Sequence, residues 1–443
     1  TAVPDFVQSS IPSSAKPAVE SVATPLSCGL VRGPRGVGKS LFARTLLNAA
    51  ITAKDAEWSA VAFLDLDLGQ TEFGPPGVLS LNIFNTATSS SASPLLIGAP
   101  WTTLRQPVRS HFVGDTTPKN VPRAYLEAAR DLVRFYQHHV ASGYVPSDDS
   151  DVHLQSSSSE LNGNDAFESR SRKRRRLGVL PETSTNGDAS LSNTPFIPLI
   201  VNTQGWVSGL GADLLSEIQS LLQPTHIFDF TPQIPAQHQD QELAERDTFM
   251  RLGAIAAPPS ESTKDKADTP PPPQVVFVPA STAAVGPAAQ SRLRLTAVDQ
   301  RALMLLSYLH AESLPSYSLK ADRFAPTWNF DLPLTALPPL VVNVTDGLLG
   351  GIHVLPFGAA VDEKLRLHAL NGAVVALVEQ QVTGFGITMI GDDGADTERN
   401  IASTASGNAR DAWLQSFRKP IPLPPTSRCI GLAVVRSISR DRQ

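Results

Sequence analysis

Residues 33–40 read Gly33-Pro34-Arg35-Gly36-Val37-Gly38-Lys39-Ser40, a G-x-x-x-x-G-K-S spacing. In such a loop successive backbone N–H groups cradle phosphate oxygens. The lysine reaches the β- and γ-phosphates, and the serine offers its hydroxyl to Mg²⁺. All eight residues are therefore candidates for binding a nucleotide, and Ser40 is also a candidate metal ligand. An apolar run from Cys28 to Val31 precedes the loop as a strand, and Leu41 to Ala50 follows with helical spacing. Phosphates held there would sit at a helix N-terminus, where free N–H groups and the dipole favour negative charge. The plain alternative is a Gly-rich turn with no ligand, and the strand–loop–helix setting weighs against it.

Residues 63–77 read FLDLDLGQTEFGPPG. Val61 to Leu64 is a continuous apolar run that suits a strand buried on both faces of a parallel sheet, and it ends in Asp65-Leu66-Asp67. Carboxylates at the C-terminal end of a strand beside a phosphate loop are placed to bind Mg²⁺ or to act as a base. Alternation puts Asp65 and Asp67 on one side of the strand and Leu66 on the other. Gln70 follows Gly69 at the strand exit, where a turn aims its amide at a substrate. Two solvated strand-end carboxylates are the plain alternative, disfavoured by the neighbouring loop.

Positioning these groups requires an α/β scaffold. The expected fold is a P-loop NTPase-type parallel sheet with flanking helices, plus a smaller β-rich C-terminal domain. Residues 1–25 are rich in Ser, Pro and Ala and read as a linker or arm. The main domain is expected over 26–330. It takes further strands at Gly77–Phe84, His111–Gly114, Phe196–Thr203, His226–Phe230 and Val275–Val278. Its helices are expected at Pro122–Tyr136, 212–222 and 297–312. In the first of these, Tyr125, Leu126, Ala129, Leu132, Val133 and Tyr136 share one stripe. Residues 146–194 are Ser-, Asp-, Asn- and Gly-rich and read as a disordered insertion. They carry the basic run Arg170–Arg176, equally suited to nuclear import, nucleic-acid contact or a solvated loop. Residues 231–291 are Pro-, Gln- and Ala-rich and read as mostly loop. Strands over 340–373, 374–382 and Cys429–Val435 make residues 331–443 the β-rich domain.

The 443 residues suffice for two or three domains, and a 41% hydrophobic fraction supports substantial cores. A net charge of −5 means that any nucleic-acid contact must come from local basic patches. Cys28 and Cys429 form no metal or disulfide pattern, which suits a reducing compartment. No stretch approaches the roughly 20 apolar residues of a membrane span, so the chain reads as soluble. It begins at Thr1 with the phosphate loop close behind, and so reads as a fragment.

GPRGVGKS, LDLDLGQTEFGPPG, FVGDTTP, PLIVNTQGWVSGLG and the helix ending LLSYLH together resemble the polynucleotide 5′-hydroxyl kinases. The likeness is greatest to the nucleolar branch that acts in ribosomal RNA processing. It covers roughly residues 26–145 and 195–435. Two features depart from it: the family's domain before the phosphate loop is not matched, and neither is the Ser-rich insertion. The resemblance implies an ATP- and Mg²⁺-dependent kinase acting on RNA with a 5′-hydroxyl end, in the nucleus and nucleolus. It also implies a ribosomal RNA endonuclease partner, met by the C-terminal segment. It implies that Lys39 and Ser40 hold the triphosphate and Mg²⁺, that Asp67 is the base, and that Asp65 supports the metal. Gln70 would contact the substrate's terminal phosphate, and Thr203, Gly205 and Trp206 would form a clasp on the first nucleotides. A lid would supply Arg301, with Arg292 or Arg294, to the transferring phosphoryl group. Phosphoryl transfer is largely positioning and charge neutralisation, so those roles are chemically consistent.

Other functions fit less well. A GTPase requires D-x-x-G and N-K-x-D, whereas Asp67-Leu-Gly-Gln70 misplaces the glycine and Asn343-Val-Thr-Asp346 lacks the lysine. A motor ATPase would show a second signature and repeats. A small-nucleoside kinase would need neither a Trp clasp nor a further β domain. An ATP-binding assembly scaffold with little turnover is the alternative from another class.

Overall fold

The computed structural model describes residues 27–53, 58–86, 96–141, 196–231, 272–279, 295–316, 325–342, 352–353, 355, 361–362, 365–380 and 422–438. The expected arm, the 146–194 insertion with its basic run, Arg292 and Arg294 all lie outside these residues. Seven strands form the main sheet: β1 (Cys28–Arg32), β2 (Ala60–Asp65), β3 (Val78–Asn85), β4 (Arg109–Phe112), β5 (Leu199–Asn202), β6 (His226–Asp229) and β7 (Gln274–Phe277). Their order is β4-β3-β2-β5-β1-β6-β7. The run β2-β5-β1-β6-β7 is parallel, whereas β3 pairs antiparallel with both β2 and β4. The expected parallel sheet is therefore present with a two-strand antiparallel extension. Only a loop (66–77) joins β2 to β3, and without a crossover helix the chain must return antiparallel.

Alternation along the central strands builds one apolar layer on each face. Leu30, Leu64, Val201 and Ile227 pack with Tyr125, Leu132, Leu214 and Ile218. The last four come from α2 (Pro122–Phe135) and α3 (Leu210–Leu222). Val31, Phe63, Ile200 and Phe228 face the other way, onto Leu46 and Leu47 of α1 (Lys39–Thr52). All six residues of β2 are buried, as its unbroken apolar run requires. The α2 stripe is as expected apart from Leu126, which is only partly buried, and α2 runs on into a π-turn over Tyr136–Val140.

Two expectations are corrected. Helix α4 runs Ala297–Leu309, not to residue 312. His310 caps it, its backbone N–H donating to Leu306 O while its Nδ1 bonds Asn329 O at 2.8 Å, and β8 (Ala311–Ser313) then pairs with β9 (Thr327–Trp328). Residues 340–373 are not a run of strands among the described residues. Leu340 and Val341 are 87% exposed and belong to no strand, and α5 (Arg366–Leu370) is helical. The C-terminal strands are β10 (Val374–Gln380) and β11 (Ser427–Val434), paired antiparallel. β11 lies against β4: Ser110 Oγ donates to Cys429 O at 2.8 Å, and Cys429 and Leu432 pack on Val78. On its other flank Leu432 N donates to Tyr308 Oη of α4 at 3.0 Å.

Candidate active site

The phosphate loop leaves β1 and enters α1 through glycines that no other residue could replace unstrained. Gly33 has φ 141°, and a Cβ there would lie 2.6 Å from Phe230 Cβ; Gly38, the N-cap, has φ 98°. No acidic residue occupies the first turn of α1, so nothing there competes with an anion for the dipole. Lys39 is 6% exposed and its Nζ donates to Pro34 O at 2.8 Å, folding the side chain along the loop. Burial pulls its pKa down and the Asp67 carboxylate opposes that shift, which places the two charges near one another.

The acidic strand end is organised around its own carboxylates. Asp65, the last residue of β2, is fully buried. Its Oδ1 accepts from Asp67 N at 3.3 Å and from Asn202 Nδ2 at 3.2 Å, while Oδ2 accepts from Glu72 N at 2.6 Å. Burial still raises its pKa well above the carboxylate range, against the pull of those donors. Asp67 Oδ1 accepts from Gly69 N at 2.9 Å and Gln70 N at 3.1 Å, closing an Asx turn that aims the loop outward. Both Asp65 oxygens are thus spent on holding the 67–72 loop. That geometry makes Asp65 the loop's anchor, where the sequence reading had it support the metal.

The carboxylate beside Ser40 is Glu72, which the sequence reading did not single out. It is 2% exposed, lies near enough to Ser40 for that hydroxyl to favour its charged form, and accepts from Arg44 Nε at 2.9 Å. Arg44 Nη1 also donates to Gly98 O at 2.8 Å. Burial pushes Glu72 up to about 7, the Arg44 charge limits the rise, and the Asp67 carboxylate adds to it. Ser40 and Arg44 stand four apart on one face of α1, a spacing visible in the sequence. Their shared partner, on the loop after β2, was not.

A cavity of about 250 Å³ opens beside this cluster, lined by Ser40, Gln70, Glu72, Trp101, Gln300 and Arg301 among others. Arg301, on α4, is therefore brought to the same space as the phosphate loop. Gln70 Nε2 donates to Gln300 Oε1 at 2.8 Å, tying the acidic loop to α4. The expected clasp residues do not line this cavity. Thr203 is 1% exposed and its hydroxyl donates to Val31 O at 2.7 Å, so its side chain is committed to the sheet. Gly205 brings that turn against the phosphate loop, where a Cβ would stand 2.7 Å from Arg35 Cα. Trp206 lies on Gly211, where a Cβ would meet its ring at 2.4 Å, and is partly buried against the core.

Among the described residues no group of three or more His, Cys, Asp or Glu could hold an ion unaided. Mg²⁺ takes one or two protein oxygens and completes its shell with phosphates and water. Ser40 Oγ and the Glu72 carboxylate form a donor set of that kind.

Comparisons with known proteins follow this geometry. Residues 33–147 match the family model described as mRNA cleavage and polyadenylation factor CLP1 P-loop. The chain is 29% identical over 420 residues to polynucleotide 5′-hydroxyl-kinase GRC3 of Cryptococcus neoformans var. neoformans serotype D, covering 93% of this chain and 44% of that protein. It is 24% identical over 416 residues to the grc3 kinase of Schizosaccharomyces pombe, with the same coverage of 93% and 44%. With the NOL9 kinase of Arabidopsis thaliana it shares 28% over 200 residues, 45% of this chain and 38% of that one. It thus spans less than half the length of the curated relatives it matches. A solved Clp1p–Pcf11p complex overlays at TM-score 0.35 and 14% identity, over 66% of this chain and 51% of that one, too loosely to carry any inference.

Proposed function

We propose that this chain, a member of the polynucleotide 5′-hydroxyl-kinase family, transfers the γ-phosphate of ATP to the 5′-hydroxyl of RNA. The observation that carries the reading is the convergence of Ser40, Gln70, Glu72 and Arg301 on one cavity, with Lys39 and the Asp67 carboxylate close enough for their charges to interact. In the reaction a bond forms from the 5′-oxygen to the γ-phosphorus and the bond to the β–γ bridging oxygen breaks, releasing ADP. Asp67 takes the hydroxyl proton. Lys39 and Arg301 neutralise charge on the transferring group, and Arg294 is proposed to join them. Ser40 and Glu72 would hold Mg²⁺, which when bound offsets the charge of the phosphates. Asp65 and Asn202 keep the loop that carries Asp67 and Glu72 in place.

The setting proposed is ribosomal RNA processing in the nucleolus, next to an endonuclease whose cut leaves the 5′-hydroxyl. Exposed apolar side chains on the C-terminal strands, Leu377, Val378 and Ile430, support a protein contact there. The deciding assay is transfer from γ-labelled ATP to a 5′-hydroxyl RNA, abolished by Lys39→Ala. ATP binding without any labelled RNA would overturn the kinase in favour of an assembly scaffold. Adding the candidate nuclease, and comparing RNA with DNA ends, tests the partner and the substrate.

A further inference from the structure

Residues 112–118, FVGDTTP, supply none of the reacting groups named so far, yet they lie against the acidic loop. A Cβ on Gly69 would stand 2.9 Å from Thr116 O, so the two loops touch backbone to backbone. Gly77 stitches them together: its N–H donates to Leu68 O at 2.9 Å, and its carbonyl accepts from Val113 N at 2.8 Å. Asp115 shapes the motif, accepting from Thr117 N at 3.2 Å and from Asn120 Nδ2 at 2.9 Å. Pro122 then opens α2, at a position where its missing N–H costs nothing and its φ is already helical.

The helix so started delivers Tyr125 to the same loop. Tyr125 is fully buried, and its Oη donates to Leu66 O at 3.0 Å. Leu66 is the first residue past β2, and its peptide bond to Asp67 is held at both ends. Asp67 N donates to Asp65 Oδ1 at 3.3 Å, and the Leu66 carbonyl accepts from Tyr125. Leu66 N donates in turn to Asn202 O at 3.0 Å. Burial, and after it the nearby Asp67 and Asp65 carboxylates, push the Tyr125 pKa above the usual range, so the phenol keeps its proton as a donor. The Asp67 carboxylate is thereby set by the peptide that precedes it and by the Gly69 and Gln70 amides that donate to it. Phenylalanine would fill the same core space, so the hydroxyl is the part of Tyr125 that answers to Leu66.

We propose that Tyr125 and the turn built on Asp115 are positioning residues for Asp67. The hydroxyl fixes the Leu66–Asp67 peptide and the turn bears on Gly69, so that the carboxylate stays aimed at an acceptor hydroxyl. The inference rests on the kinase reading for what Asp67 does, and not for how it is held.

The test uses the full chain as wild type, Tyr125→Phe, Asp115→Ala, Asp67→Asn and the double variant Tyr125→Phe with Asp67→Asn. Tyr125→Phe deletes one oxygen and keeps the ring. With γ-labelled ATP and a 5′-hydroxyl RNA it should lower kcat about 5- to 10-fold, the worth of one hydrogen bond, with both KM values kept within about twofold. Asp115→Ala should act in the same direction. In the Asp67→Asn background Tyr125→Phe should cost nothing further, because the group it positions is already gone. Hydrogen exchange at the Gly69 and Gln70 amides reports their bonds to Asp67 Oδ1. It should quicken in Tyr125→Phe and in Asp115→Ala while α1 keeps its protection. Additive losses in the double variant, a matched rise in both KM values, or unchanged exchange at those two amides would overturn the assignment. Should Tyr125→Phe fail to fold, kcat and exchange in Asp115→Ala decide. Exchange needs no turnover: wild type that labels no RNA, with these amides still loosened by Tyr125→Phe, would sink the kinase and keep the positioning role.

Discussion

Gln70 Nε2 lies 2.8 Å from Gln300 Oε1, so the loop that carries Asp67 is bonded to the helix that carries Arg301. The residue next to Gln300 is the arginine itself, and the loop stands on Asp65 and Asn202. The proposed base, metal-side carboxylate and lid cation are in this way connected by hydrogen bonds between neighbours, without a contact between these groups themselves. Gln300→Ala should therefore lower kcat about 10-fold while ATP affinity stays within twofold, an expectation from the roughly 1–1.5 kcal/mol of a hydrogen bond. Steady-state kinetics with ATP and RNA varied separately check this.

Asp67 and Glu72 should fail in different ways. Asp67→Asn removes the proton acceptor and should cut kcat by about 10²–10⁴ with nucleotide affinity kept. Glu72→Gln should weaken Mg²⁺-dependent ATP binding as well as turnover. A matched loss of nucleotide affinity in both variants would put Asp67 in the metal site.

Glu72 also predicts a pH dependence. With its pKa lifted to about 7 by burial, the carboxylate is protonated below that value and unavailable to a cation, so kcat/KM should fall as pH drops through about 7. Glu72→Gln should flatten that limb. For the chain without nucleotide or metal, the folded form holds a proton that the unfolded form releases above its ordinary value of 4.5. Stability of wild type relative to Glu72→Gln should therefore fall, by about 1–3 kcal/mol, as pH rises from 4.5 to about 7. Urea midpoints across that range measure it.

Asp131 gives the opposite sign. Burial works to raise its pKa, but hydrogen bonds from His111 (2.7 Å) and Arg109 (2.5 Å) hold it below the usual value. Its stabilisation is present at neutral pH and lost as pH falls through the folded pKa. Asp131→Asn leaves a partly buried Arg109 without its counter-charge and should cost up to about 3 kcal/mol. Because Arg109 also donates to Pro424 O at 2.9 Å, hydrogen exchange in β11 should rise in that variant.

Gly205→Ala would place a methyl 2.7 Å from the backbone of Arg35. A backbone neighbour has little room to yield, so the phosphate loop must shift. ATP should bind about 10-fold or more weaker, as overpacking of 1–3 kcal/mol implies. Isothermal titration with ATP reads it directly.

The parts of the site legible in the sequence were those in which chain neighbours do the work. The phosphate loop and the Asp65–Gln70 turn are contiguous, and their geometry follows from local glycines and Asx bonding. Continuous apolar runs located β1 and β2, and helical periodicity located the buried stripe of α2. Glu72 was hidden because its meaning depends on Ser40 and Arg44 of α1, about thirty residues earlier in the chain. The same holds for Asn202, whose amide matters only once β5 lies beside β2. The end of α4 was missed because Ala311–Ser313 has helical composition but a strand partner at Thr327–Trp328. Apolar content at 340–342 suggested a strand, yet among the described residues nothing pairs with it.

Arg301 and Tyr308 sit about 10 Å apart along one rigid rod, with the cavity at the first and the amide of Leu432 at the second. Shortening the polypeptide before residue 422 would unmoor the far end of that rod. The proposed phosphate transfer would then slow with every reacting atom still in its place, and such a truncation would mimic an active-site defect.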